Sequence, residues 1–337
     1  MNLDLKKYFT PQAIVNSLAS LPTLKTPTMD LLFSNTQNVP RPIIGYRDLG
    51  LPAGNIPVVR RGTASYPMGV TDGSINFIEP QPVSPSEFLK GSDINNLRML
   101  NESSIQQEIT NVFDRLRRAC RATAEALAIQ SLTGKINYSM RADGGALIPY
   151  EVEYGTIGDA SDNVTTKFDA AGAKSSTVIK GIAAILEVLK SQNVDGNDIE
   201  ILSGFDVFAV LCDLAGATSN HSVMEATQSG INVGGGFTIR LFANTYKNLS
   251  TGAAVPVVPA KNLLVVDKQA GFKMLYAALD SMEAGQQAMP FFATFEEKKD
   301  PSGINIIGES KPLPVVNVKG IVKAQVLADE EPVEPEA

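Results

Sequence analysis

From Asn101 to Leu132 the chain contains neither proline nor glycine. Within that span Ile105, Ile109, Val112, Phe113, Leu116, Ala119, Cys120, Ala124 and Leu127 recur at steps of three and four. That spacing defines one apolar face of a single long helix. At 1.5 Å per residue such a helix runs on the order of 45 Å. Gly134 supplies the residue type that ends helices. The stretch is rich in alanine, which lets neighbouring backbone approach closely, and its other face carries Arg115, Arg117, Arg118 and Arg121. Whatever this chain folds into must be arranged around a rod of that length.

Upstream lies a contrasting segment. NIPVVRR (55–61) and SINFI (74–78) read as two strands joined by a turn-rich tip, with Pro80, Pro82 and Pro85 just beyond. Together they predict a long hairpin over about 55–83. An isolated two-stranded hairpin is marginal in water. This one carries Ile56, Val58, Val59, Ile75, Phe77 and Ile78, so its apolar surface needs a cover. Residues 1–50, punctuated by Pro11, Pro22, Pro27, Pro40 and Pro42, predict an extended arm with one short helix near 11–20. Two such segments beside a globular pattern point to other copies of the chain as the cover. Heterologous contacts of that kind close into rings or shells.

After the long helix, INYSMR and ALIPYEVEYG predict a hairpin turning at 143–145. Residues 155–175 read as a polar linker. Helices are expected at 177–192 and 205–216, the second stopped at Gly216, and strands at 199–204, 237–244 and 262–267. MPFFATFEE and INIIGES form a last hairpin around KKDPSG, followed by a rigid PLPVV and a closing strand at GIVKAQVL. The tail holds Asp329, Glu330, Glu331, Glu334 and Glu336 and reads as disordered, leaving 29 bases against 31 acids in residues 1–327. So neutral a body argues against a strong electrostatic footprint for nucleic acid.

Catalysis finds little footing. The single histidine, His221, sits in a polar loop with no second histidine or cysteine near it. Asp195, Asp198 and Glu200 lack the spacing of a calcium loop. Gly234, Gly235 and Gly236 precede a strand, not a helix, and cannot present helix amides to a phosphate. Cys120 and Cys212 read as buried free thiols without metal-like spacing. No cofactor is called for. The N-terminus lacks the layout of a signal peptide and no run is long enough to span a membrane, so a cytosolic product is expected.

The order of elements, together with TGKINYSM running into IPYEVEYG and MPFFATFEEKKDPSGINIIGESKPLPVVN with its closing IVKAQVL, resembles the tailed-phage major capsid proteins of the HK97 fold, in the phage lambda branch. The similarity spans about residues 20–327, and only in outline over 165–290. The resemblance implies an α+β fold divided into an N-terminal arm (1–50), an E-loop (51–90), a peripheral domain (91–164, spine helix 101–133), an axial domain (165–290), return strands of the peripheral domain (291–327) and an acidic tail (328–337). It implies a non-enzymatic protein that self-assembles into hexamers and pentamers of an icosahedral head around double-stranded DNA. Made in the bacterial cytoplasm, it would end in the virion. Portal, scaffold and maturation protease would be its assembly partners, a decoration protein would bind outside, and no membrane would be involved.

Contacts between subunits are expected from Ile56, Val58, Arg60, Arg61, Ile75, Phe77 and Ile78 of the loop and from Arg115, Arg118 and Arg121 of the helix, with the arginines meeting acids of a neighbour. Some members of this fold join subunits through a lysine of the E-loop. Here no lysine lies between Lys25 and Lys90, so noncovalent reinforcement is expected. An encapsulin-like cellular shell is the alternative within the fold, and a soluble α/β ligand-binding protein the alternative outside it.

Overall fold

The computed structural model describes residues 11–45, 77–100, 102–142, 144–192, 198–217, 224–227, 230–234, 236–248 and 251–329. Helices α1 (Pro11–Ala19) and α2 (Pro27–Leu32) come first, then strands β1 (Thr36–Val39), β2 (Ile44–Gly45), β3 (Phe77–Ile78) and β4 (Ser86–Lys90). Helices α3 (Gly91–Leu100) and α4 (Glu102–Ser131) lead to β5 (Lys135–Arg141), β6 (Leu147–Glu153) and β7 (Gly158–Asp159). Next come α5 (Ser175–Ser191), β8 (Ile199–Ser203) and α6 (Phe205–Ala217). Six strands follow: β9 (Met224–Thr227), β10 (Gly230–Val233), β11 (Phe237–Leu241), β12 (Thr245–Lys247), β13 (Ala254–Pro256) and β14 (Asn262–Asp267). The chain closes through β15 (Lys273–Ala277), β16 (Phe292–Lys299), β17 (Ser302–Glu309), β18 (Pro312–Val315) and β19 (Ile321–Gln325).

Two compact units divide these elements. The first takes Met1–Gly50, Asp72–Ala128 and Lys273–Val315. Its centre is α4, whose 30 residues give the expected length of about 45 Å. Ile105, Ile109, Val112, Phe113 and Leu116 pack with Ile14 of α1 and with Ala293, Ile304 and Ile306 of the antiparallel sheet β16–β17–β4. Ala119, placed on the apolar face by its spacing, is exposed. Gly308 allows β17 to lie close on the helix: a Cβ there would stand 2.9 Å from the Phe291 ring and 3.1 Å from Leu116 Cβ. A second sheet has the order β1–β15–β18, with β1 parallel to β15 from Thr36↔Met274 to Val39↔Ala277. The N-terminal segment is therefore built into this unit through α1, α2 and β1, and is not merely extended.

Most of the expected arm hairpin, including 55–61, lies outside the described residues. β3, the end of SINFI, pairs antiparallel with β2 through Ile44↔Ile78 and Gly45↔Phe77. Ile56, Val58, Arg60, Arg61 and Ile75 lie outside the described residues.

The second unit takes, among the described residues, those within Ile129–Phe272 and from Val316 on. Its seven-stranded sheet runs β7–β19–β14–β8–β11–β10–β9. Val178, Ile182, Ile185 and Leu189 of α5 and Val207 and Leu211 of α6 pack on Ile201, Ile239, Leu263, Val265, Val322 and Ala324 of the sheet. The 155–175 stretch is no linker, because β7 joins the sheet and Ala160, Val164 and Phe168 are buried in this core. Phe168 explains Gly181, where a Cβ would come within 2.6 Å of its ring.

Two boundaries drawn from the sequence differ from these units. The closing strand β19 pairs with β14 and β7, so residues 316–327 go with the α/β sheet and not with the returning hairpin. β15 pairs with β1 and β18, so Lys273 onward leaves the α/β segment earlier than residue 290. In each case the backbone ladder decides, and no local pattern shows it. Gly216 sits inside α6 rather than after it, and Cys212 is exposed while Cys120 is buried.

Candidate assembly surfaces

The arginines of α4 divide into two groups, both already engaged within the chain. Arg115 grips Glu87 of β4 through Nε to Oε2 at 3.0 Å and Nη2 to Oε1 at 2.6 Å, and donates to Glu108 Oε1 at 3.2 Å. The hydrogen bond that Arg115 donates to Glu87 is the largest influence on the guanidinium and raises its pKa further. Arg118 and Arg117 share Asp114, at 2.7 and 2.9 Å. Burial of Asp114 opposes its ionisation, but the hydrogen bonds and charges of Arg118 and Arg117 outweigh that and hold its pKa below the ordinary value. Exposed pairs of this sort contribute about 0.2–1 kcal/mol each.

Arg117, Arg121 and Glu125 lie at i, i+4 and i+8 and form one stripe, which binds residues 22–30. Arg117 Nη2 donates to the Pro22 carbonyl at 2.8 Å. Arg121 Nη2 donates to Thr26 Oγ1 at 2.7 Å and to Asp30 Oδ1 at 3.3 Å. Glu125 accepts the Thr28 and Met29 amides at 2.7 and 3.0 Å, placing a carboxylate at the start of α2 where unpaired amides need one. Asp30 closes the same turn by accepting the Thr26 amide at 2.8 Å. Burial raises the pKa of Tyr276, over the opposing charge and hydrogen bond of Arg121. The sequence held a cue for this anchor, since Thr26-Pro27 followed by an acid is a helix start.

The expectation that these arginines reach acids of an adjacent subunit must therefore allow for the acids of their own chain. The sequence pattern could not reveal Glu87 or Asp30 as partners, because the sheet and the N-terminal segment bring them in from afar. Of the loop residues, Phe77 and Ile78 belong to β3, with Ile78 buried.

Burial, followed by the charge of Glu309, pushes the Cys120 thiol up to about 12. Lys311, almost wholly buried, donates to Asp280 at 2.8 and 3.0 Å. Burial first, then the charges of Asp280 and Glu283, raises the pKa of Glu309. A cleft of about 340 Å³ beside β5 is lined by polar residues including Gln130, Lys135, Tyr138 and Tyr246, with no carboxylate among them. His221 lies outside the described residues. Among the described residues no three histidine, cysteine or acidic side chains gather to hold a metal, and no helix is long and apolar enough to cross a membrane. Large apolar side chains are exposed instead at Ile43, Met99, Leu147, Ile148, Phe205, Leu241 and Met282.

Comparison with known proteins places this architecture. A capsid protein from a prophage of E. coli CFT073 superposes with a TM-score of 0.60 at 15% identity, covering 97% of this chain and 99% of that one. The capsid of a native GTA particle superposes at 0.49 with 10% identity, covering 91% and 92% of the two chains, a likeness that carries no argument by itself. The SrpI encapsulin of Synechococcus elongatus PCC 7942 reaches only 0.41 at 9% identity, covering 93% and 95%, too low to carry an argument. No curated protein matches by sequence. The fold is thus the α+β, HK97-like capsid fold. The family described as phage major capsid protein E matches residues 10–326. With the spine helix, the returning hairpin and the α/β sheet all inside that match, the chain belongs to the phage major capsid protein E family.

Proposed function

We propose that this chain is the repeating unit of an icosahedral phage head, arranged in hexamers and pentamers around packaged double-stranded DNA. Membership of the capsid family over residues 10–326 carries this reading. In it, the unit built on α4 is the peripheral domain and the seven-stranded unit the axial domain. Residues 51–90 act as the E-loop, with Ile56, Val58, Arg60, Arg61, Ile75 and Phe77 in contact with a neighbouring copy. Ile78 anchors the loop's return through β3. The near-neutral body suits an inner wall that encloses DNA without holding it. Synthesis takes place in the host cytoplasm. A portal, a scaffold and a protease take part in assembly, a decoration protein reinforces the outer surface, and the chain itself performs no reaction.

Electron microscopy and sedimentation of the purified chain, with and without its scaffold, test the proposal. Closed shells are expected. A species that remains a 35.9 kDa monomer under every condition overturns it. Deleting residues 62–73 should leave a folded chain that fails to assemble; normal shells from that deletion remove the loop from the contact.

A further inference from the structure

The hairpin β5–β6 is a two-stranded ladder of seven pairs, with no third strand among the described residues. Side chains alternate across it. On one face Ile136↔Val152 is followed by Tyr138↔Tyr150 and Met140↔Ile148; on the other, Arg141↔Leu147 closes a polar row. The core covers only the base. Ile136 and Val152 are 1% and 6% exposed, whereas Ile148 and Leu147 at the tip are 40% and 57% exposed. A hairpin this short owes its order to what packs on it, and here packing within the chain stops halfway along.

The same unit carries a second uncovered apolar patch. Leu241, the last residue of β11, is paired with Ser203, and Phe205 follows two residues later at the start of α6. They are 38% and 67% exposed. Arg141 stands across the ladder from Leu147, and Asp206 follows Phe205 in the first turn of α6, while Arg240 beside Leu241 is paired with Glu200 at 2.9 Å. Among the described residues neither Arg141 nor Asp206 has an ion pair.

We infer that the tip of β5–β6 in one copy docks on the Phe205–Leu241 patch of the next, with Arg141 facing Asp206. The inference rests on the head-wall reading for its choice of a second copy as partner. The two patches differ, so each copy gives a hairpin and receives one, and the contact repeats around a ring. Two exposed apolar patches on one chain, one beside Arg141 and the other beside Asp206, fit each other better than they fit solvent.

Charge exchange tests it. Arg141→Glu and Asp206→Arg are each expected to raise the chain concentration needed for assembly by about tenfold or more, because a small loss recurs at every contact of the ring. The combined variant should return it to within about threefold of the unaltered chain, the two charges having traded places. Circular dichroism and thermal melting establish that each variant is folded. Leu147→Ser, at the exposed tip, should weaken assembly without affecting melting. Single variants that assemble like the unaltered chain, or a combined variant no better than the singles, overturn the docking while leaving the head-wall reading intact. An unaltered chain that never assembles overturns both.

Discussion

Glu125 is one of three α4 residues that hold the N-terminal segment, and its replacement should loosen that segment at α2. Its carboxylate accepts two backbone amides, from Thr28 at 2.7 Å and Met29 at 3.0 Å. Thr28 and Met29 are 0% and 2% exposed, so water cannot replace the lost acceptor unless the segment lifts away. Leaving a buried donor unsatisfied costs about 1–3 kcal/mol, and two charge-assisted bonds are involved. Partial relaxation of the segment brings the expected loss for Glu125→Ala to about 2–4 kcal/mol. At about 1.4 kcal/mol per tenfold, amide hydrogen exchange over residues 26–39 should accelerate roughly 30- to 1,000-fold. The effect should extend to β1, which follows α2 and pairs with β15. Glu125→Gln keeps one acceptor oxygen and should show a smaller acceleration. Fragment-resolved exchange measured by mass spectrometry distinguishes these outcomes. Unchanged protection of α2 in Glu125→Ala would refute the idea that this carboxylate anchors the segment.

Gly308→Ala should cost about 1–3 kcal/mol by overpacking β17 against Phe291 and Leu116, read as a lowered melting temperature. Glu309 has a folded pKa raised above its ordinary 4.5, first by burial and then by Asp280 and Glu283. Its contribution to stability is therefore present at low pH and lost as pH rises through the folded pKa. Glu309→Gln should accordingly melt higher than the unaltered chain at pH 7, with the difference vanishing at low pH; an unchanged difference across that range contradicts the assignment. Mature particles should run on a denaturing gel as a single band near 35.9 kDa, because residues 26–89 contain no lysine amine for a cross-link. A ladder of subunit multiples resistant to boiling and reductant would show otherwise.

Elements with a strong local period or sharp punctuation were legible in the sequence. The rod of α4, the helices α1, α5 and α6, the hairpins β5–β6 and β16–β17 and the strands β8, β14 and β19 all stand within a few residues of their expected places. Pairings between distant segments were not legible. β1 is a polar TQNV, mostly exposed, that becomes a strand only because β15 supplies a ladder. β7 is two residues long and owes its place to β19. Ala160, Val164 and Phe168 are too sparse among polar neighbours to mark 155–175 as core. On the candidate surfaces, the arginines were visible as residues, while Glu87, Asp30 and Glu125, which decide what those arginines do, came into reach only through the tertiary fold. The exposed tip of β5–β6 was likewise hidden, since alternation shows which face is apolar but not how far the core extends along it.

The dependence of α4 on β16 and β17 also sets a timetable for the newborn chain. Ile105 to Leu116 emerge from the ribosome early, but Ala293, Ile304 and Ile306, which complete their core, come nearly two hundred residues later. At ~5–20 residues per second that gap lasts about 10–40 seconds. Throughout it the helix presents a half-built apolar face, open to chaperones and to misassociation with other nascent chains. The α/β sheet waits as well, because β19 (Ile321–Gln325) inserts beside β14 (Asn262–Asp267) only once the intervening segments have been made. Both units therefore wait on segments distant in the chain before a subunit is competent to join a wall. A lattice of many copies thereby draws on finished parts.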